Sequence, residues 1–133
     1  EAGVSRRAEY AGWVLQNYIK PDDGILCAVA QDDDNAILGL QSLKRATPGN
    51  PYGVTPGWGI IGTHISPDAA RQGIGKALFG VVAHAARDAG LPFIDATIAA
   101  TNAGGLAYYE AMGFRTYREI DGAICKMIEL NAA

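Results

Sequence analysis

A chain of 133 residues that is 49% hydrophobic has the material for one domain with a substantial buried core. Its net charge of −3 argues against nucleic acid or an acidic membrane surface as partner, and suits a cationic acceptor such as an amine. With no apolar run near the roughly 18 residues of a membrane span and no signal-peptide pattern, a cytoplasmic domain is expected.

Residues 6–20 carry Ala8, Ala11, Val14, Leu15, Tyr18 and Ile19 at spacings near three and four, which predicts an amphipathic helix ended by Pro21. Two strands, 25–30 and 36–44, then form a hairpin around Gln31-Asp32-Asp33-Asp34-Asn35. That aspartate run lacks the glycine and terminal glutamate of a calcium loop, so it is read as a solvated turn. Cys27 and Cys125 lie in strand-like apolar runs without metal-ligand spacing, and are read as two separate buried thiols. No metal site is expected. Residues 47–57, with three prolines and three glycines, form a loop placed to shape a substrate entrance.

A central strand over 58–65 leads into Ser66-Pro67-Asp68-Ala69-Ala70-Arg71-Gln72-Gly73-Ile74-Gly75-Lys76-Ala77 and a helix over 74–89, terminated by Gly90-Leu91-Pro92. Gly73 and Gly75 let the turn expose consecutive backbone N–H groups. The helix N-terminus adds its unpaired donors and the positive end of its dipole. Such a junction is an anion cradle suited to phosphate or pyrophosphate, flanked here by Arg71 and Lys76. It is not a Walker A loop, because Ala70 stands where glycine is needed and Ala77 where a hydroxyl is needed. Nor is it a dinucleotide fingerprint, since Leu78 occupies the third glycine position.

A buried strand follows over 93–100. Asn102 caps a second helix and Gly113 stops it. Strands 114–120 and 123–130 close the chain as a hairpin turned at Asp121-Gly122. No internal repeat interrupts this, so residues 1–133 are read as a single domain.

Together, the cradle and the run Asn102-Ala103-Gly104-Gly105-Leu106-Ala107-Tyr108-Tyr109-Glu110-Ala111-Met112-Gly113-Phe114 resemble the GNAT superfamily of acyl-CoA-dependent N-acyltransferases. That family's cofactor loop reads Gln/Arg-x-x-Gly-x-Gly/Ala, and its later helix reads Asn, Tyr seven positions on, then Gly-Phe, which Asn102, Tyr109 and Gly113-Phe114 match. The resemblance covers the chain from Gly24 onward and is strong from Trp58 to Phe114. One departure is that the family's Gln/Arg position is Ala70, with the arginine displaced to Arg71. The resemblance implies an α/β fold: a mixed, mostly antiparallel central sheet flanked by helices and splayed at the cofactor-binding strand. The family's first strand is missing from this reading, which leaves an open sheet edge that a homodimer would cover.

The same resemblance implies an acetyltransferase that moves an acetyl group from acetyl-CoA to a small or peptidic primary amine by direct attack, without a metal. Thr63 and Ile65 would offer main-chain hydrogen bonds to the pantetheine arm. Arg71, Gln72, Gly73, Ile74, Gly75, Lys76 and Ala77 would hold the pyrophosphate, and Asn102 would contact the cofactor arm. Tyr109 matches the family's general acid toward the departing thiolate, a role open to a phenol that keeps its proton at neutral pH. Tyr108 is assigned to the core, since adjacent helix residues do not share one direction. The family's frequent glutamate on the central strand is absent. His64 is the titratable group there, placed by alternation opposite Thr63 and Ile65. It stands as base or water-holder, beside a structural histidine and proton loss through water to solvent as alternatives. His84 is expected on the surface. Tyr10, Trp13, Tyr18, Tyr52 and Trp58 are candidates for the acceptor wall or for the core. A catalytically weak acyl-CoA-binding sensor or interaction domain is the alternative to the enzyme, and a nucleotide-binding module is a third reading.

Overall fold

Alternation of buried and partly exposed residues along Gly24–Gln31 and Ile37–Arg45 sets the frame of the molecule. Leu26, Ala28 and Ala30 on the first strand, and Gln41 and Leu43 on the second, turn to one side and are fully buried. A helix over Ile74–Asp88 covers that side with Ile74, Leu78, Val82 and Ala86, spaced four apart. Each fully buried leucine or isoleucine in this layer contributes about 2 kcal/mol through removal of its surface from water.

The computed structural model describes residues 5–7, 13–17, 24–67 and 73–130. Its elements in chain order are β1 (Ser5–Arg7), β2 (Trp13–Asn17), β3 (Gly24–Gln31), β4 (Ile37–Arg45), β5 (Gly59–Ile65), α1 (Ile74–Asp88), β6 (Phe93–Ala99), α2 (Ala103–Met112), β7 (Arg115–Ile120) and β8 (Ala123–Glu129). The strands form one sheet in the order β1-β2-β3-β4-β5-β6-β8-β7. Every neighbouring pair is antiparallel except β5–β6, the parallel pair whose crossover is α1. Both helices share one hydrophobic cluster with the sheet, in which Phe79 of α1 and Tyr109 of α2 pack on Phe114. Neither helix is long and apolar enough to cross a membrane.

The mixed, mostly antiparallel α/β sheet expected from the sequence is present, but its first part differs. The helix expected over 6–20 is absent from the described residues there: β1 and β2 are strands, with Trp13–Asn17 in register against Gln31–Cys27 of β3. Pairing satisfies the row of N–H and C=O groups that β3 would otherwise leave open. A helix of that length is marginal in water without extensive packing, so the sheet edge overrides the apolar periodicity. The sheet therefore does not begin at β3, and the open edge on which the homodimer expectation rested is covered by β2.

The remaining elements fall within a residue or two of their expected bounds. In the 31–35 turn, the Asp32 carboxylate accepts from the amides of Asp34 and Ala36 at 2.9 and 3.0 Å. Asn50 organises the loop before β5, accepting from the amides of Tyr52 and Val54 and donating to the carbonyls of Thr47 and Val54. Cys27 and Cys125 are both free thiols.

Candidate active site

Two backbone pairs, Gly59 with Ile94 and Ile60 with Asp95, are all that joins β5 to β6. Beyond them each strand keeps its outer neighbour: β5 stays paired with β4 to Ile65, and β6 with β8 to Ala99. The two strands diverge, and the inner edges of residues 61–65 and 96–99 face each other without a strand between them. Backbone donors and acceptors in such a gap require a partner. An extended chain the width of a strand would supply one.

α1 begins beside the open end of this gap. Gly73 is its N-cap with φ 78°, a left-handed conformation that disfavours residues with a Cβ, and no side chain caps the turn. Among the described residues, the first turn contains no acidic side chain. The N–H groups of Ile74, Gly75 and Lys76 precede the first backbone bond, from Ala77 to the Gly73 carbonyl at 3.0 Å, so they remain donors for an anion. Ile74 is anchored in the core and Lys76 is exposed. Gly75 has a different reason to be glycine. A Cβ there would lie 2.5 Å from Cε1 of Tyr108 and 3.1 Å from Cδ1 of Ile65, so the ring of Tyr108 needs the missing side chain. Arg71 and Gln72, also expected at the cradle, lie outside the described residues.

α2 crosses the gap from the other strand. Asn102 caps it, its side-chain oxygen accepting from the Gly105 amide at 2.9 Å, and Gly113 ends it with φ 107°. Asn102 itself is exposed with that oxygen engaged. Tyr109 is 5% exposed, and its hydroxyl lies 2.5 Å from Thr63 Oγ1 on the diverging part of β5. Burial pushes its phenol above the ordinary tyrosine range, the Thr63 hydrogen bond opposes that rise, and the Asp95 charge adds to it. The outcome is a neutral phenol at physiological pH.

Tyr108 packs against the core cluster as expected, and its hydroxyl is also engaged. Its hydroxyl donates to the Gly75 carbonyl at 2.7 Å and accepts from Gln41 Nε2 at 2.9 Å. The same amide nitrogen donates to Thr63 Oγ1 at 3.0 Å. The adjacent tyrosines, with ring centroids 5.0 Å apart, thus join one network, Tyr108 at Gln41 directly and Tyr109 through Thr63. Burial raises the Tyr108 phenol to about 12.

The opposite face of the sheet holds His64, exposed and turned away from Thr63 as alternation requires. It also holds a carboxylate that sequence reasoning passed over. Asp95, at the last β5–β6 pair, is fully buried. Its oxygens accept from Thr97 Oγ1 at 2.8 Å and from the Tyr117 hydroxyl at 2.5 Å, with Arg118 Nη2 at 3.9 Å. Burial first, and then this bond to Asp95, holds the Tyr117 phenol far above its usual range. Trp58 stacks on Phe93 and Tyr117 at 4.6 and 5.4 Å, so it belongs to this wall. Tyr52 is exposed on the loop that Arg118 ties down through the Tyr52 carbonyl at 2.8 Å. Tyr10 and Tyr18, and the Trp13 side chain, lie outside the described residues, and His84 is exposed beside Asp88 at 3.4 Å.

Residues 3–114 match the Acetyltransferase (GNAT) family. The chain belongs to that family. In three dimensions this GNAT chain is similar to the GNAT domain of S. lividans PAT, with a TM-score of 0.73 and 17% identity over 85% of this chain and 65% of that one. It is similar to yncA from Salmonella typhimurium, solved with its cofactor acetyl-CoA, with a TM-score of 0.64 and 18% identity over 81% of this chain and 66% of that one. It is also similar to the ribosomal-protein-S18-alanine N-acetyltransferase from Escherichia coli, with a TM-score of 0.63 and 19% identity over 86% of this chain and 74% of that one. The GNAT chain thus spans about two thirds of the length of the first two. No protein of curated function matches it in sequence.

Proposed function

We propose that this GNAT domain is an N-acetyltransferase that takes its acetyl group from acetyl-CoA and delivers it to a primary amine by direct attack. The observation that carries the reading is the conjunction at the β5–β6 gap: an uncapped helix N-terminus at its open end, and the buried Tyr109 hydroxyl bonded to Thr63 within it. Acetyl-CoA as co-substrate supplies an activated thioester. The N–H groups of Ile74, Gly75 and Lys76, with the helix dipole and the Lys76 ammonium, suit its pyrophosphate. Gly73 and Ala77 complete the turn, and Arg71 and Gln72 precede it in sequence. The main-chain groups of Thr63 and Ile65 are candidates for pairing the extended arm, with Asn102 at the gap's α2 side.

As the amine nitrogen bonds to the acyl carbon, the carbon–sulfur bond breaks and its electron pair leaves on sulfur. In this mechanism Tyr109 gives its proton to that thiolate, a role its neutral, buried phenol supports. His64, on the exposed face, is the candidate to take the amine's proton directly or through water. Holding both reactants in line contributes as much as the proton transfers. A binding-only domain is the second reading, supported by Ala70 at the family's Gln/Arg position and by the absence of a carboxylate on β5.

Calorimetric titration with acetyl-CoA, followed by a CoA-release assay over small amines and peptides with free N-termini, tests the proposal. Micromolar binding with amine-dependent release is the expected result. Binding without release for any amine favours the sensor reading, and no binding at millimolar acetyl-CoA overturns both.

A further inference from the structure

Gln41 is fully buried on the helix side of β4, between Ala28 of β3 and Thr63 of β5. A glutamine there loses its hydration, and an apolar residue would pack with less penalty unless the amide has work. Its hydrogen bonds are one-sided. Both go from Nε2, to Thr63 Oγ1 at 3.0 Å and to Tyr108 Oη at 2.9 Å, while Oε1 has no partner. The donor end is therefore the part in use.

The direction of this network is fixed from one end. The Gly75 carbonyl only accepts, so the single Tyr108 proton lies along the 2.7 Å bond to it. Tyr108 Oη must then accept from Gln41, which sets the amide with its nitrogen inward. The reverse orientation would place two acceptors, Gly75 O and Gln41 Oε1, on one phenolic proton and leave a close oxygen pair with no hydrogen between them. With nitrogen inward, the second amide hydrogen goes to Thr63 Oγ1. The Thr63 hydrogen then has Tyr109 Oη, 2.5 Å away, as its acceptor among the described residues. With Thr63 as the donor of that bond, Tyr109 receives a hydrogen bond and keeps its own proton free.

We infer that Gln41 is a positioning residue that orients the Thr63 hydroxyl toward Tyr109 and so leaves the Tyr109 proton directed into the β5–β6 gap. This rests on the general-acid reading of Tyr109 proposed above. In the step itself, the Tyr109 O–H proton passes to sulfur as the carbon–sulfur pair departs. The phenolate left behind keeps the Thr63 hydrogen bond and regains a proton from solvent. A chain of donors running toward the phenol favours that charge, and each donor polarises the next. The donors that run toward the phenol start at Gln41 Nε2, and on its other side the network ends through Tyr108 at the Gly75 carbonyl of the anion cradle, an acceptor.

Neutron diffraction from deuterium-exchanged crystals of the unaltered protein reads the direction without any acceptor. The expected density has deuterium on Thr63 Oγ1 aimed at Tyr109, and the Tyr109 deuterium off that axis. A deuterium on Tyr109 aimed at Thr63 overturns the inference. Steady-state kinetics with an amine that supports CoA release tests its consequence. Gln41→Leu should lower kcat about tenfold, a fraction of what a general acid supplies, with KM for acetyl-CoA changed less than twofold. In a Tyr109→Phe background the same change should have no further effect on kcat. Equal losses in both backgrounds, or weakened acetyl-CoA binding, would mark Gln41 as packing and overturn it. If Tyr109→Phe alone leaves turnover intact while the neutron pattern holds, the acid role falls and takes this inference with it, though the network stands.

Discussion

The hydroxyls of Thr63 and Tyr109, 46 positions apart in sequence, lie 2.5 Å from each other and tie α2 to the part of β5 that has left β6. Replacing Tyr109 by Phe keeps the ring against Phe114 and removes only the transferable proton. Under the proposed mechanism turnover should fall about 10²- to 10³-fold, with acetyl-CoA affinity within a factor of two. CoA-release kinetics and calorimetry on the same preparation check both halves.

Gly75→Ala sets two effects against each other. In an open helix, alanine for glycine would stabilise by about 1 kcal/mol. Here the added Cβ would meet Tyr108 Cε1 at 2.5 Å, and the ring is pinned through its hydroxyl to the backbone of the same residue. Overpacking of this kind is destabilising by about 1–3 kcal/mol, so the clash wins. A lowered denaturant midpoint, accompanied by weaker acetyl-CoA binding, is expected; raised stability would show that the ring moves aside freely.

Asp95→Ala removes the acceptor of the Tyr117 hydroxyl, the stronger of two acceptors for Thr97 and the charge facing Arg118, which keeps its bond to the Tyr52 carbonyl. A loss of about 3 kcal/mol is expected from such a buried network. Asp95→Asn keeps the shape and one acceptor oxygen, and should recover part of that loss. Urea titration of the three proteins gives the ranking.

Alkaline pH should unfold this protein through its phenols. Tyr108 sits at about 12, and Tyr109 and Tyr117 are also held above the ordinary tyrosine value. The unfolded chain gives up these protons near pH 10 while the folded chain retains them. The stabilisation is therefore complete below about pH 10 and declines as pH rises toward the folded values. Absorbance at the phenolate band should show Tyr108, Tyr109 and Tyr117 silent near pH 10, ionising only as the fold is lost. Six phenols titrating together in the native protein would contradict the buried assignments.

What the sequence revealed was what depends on near neighbours. Gly73 in its left-handed turn, Asn102 as a cap and Gly113 as a stop are local solutions, and all three are seen. The 6–20 segment was misjudged because its spacing fits a helix, while the demand it answers comes from the distant edge of β3. The Gln41 network was hidden for a related reason. Alternation along β4 already put this polar residue in line with Gly39 and Leu43 on the buried face, a signal available beforehand. Its partners on β5, α1 and α2 required the fold. Asp95 is a single carboxylate in the run 93–100, and its partners Thr97, Tyr117 and Arg118 include two residues of a distant strand that only the fold brings to it.

The two-pair junction of β5 and β6 divides the sheet into a five-stranded plate and a three-stranded one, stitched along their shared border only at one corner. Most of that seam is left for something other than protein to close. A ligand that enters as an extended chain does more than occupy a pocket there: it becomes the missing stitch, and the two plates are continuous only while it stays. On that view, amide exchange along residues 61–65 and 96–99 would report occupancy directly, and departure of the spent ligand would reopen the seam for the next.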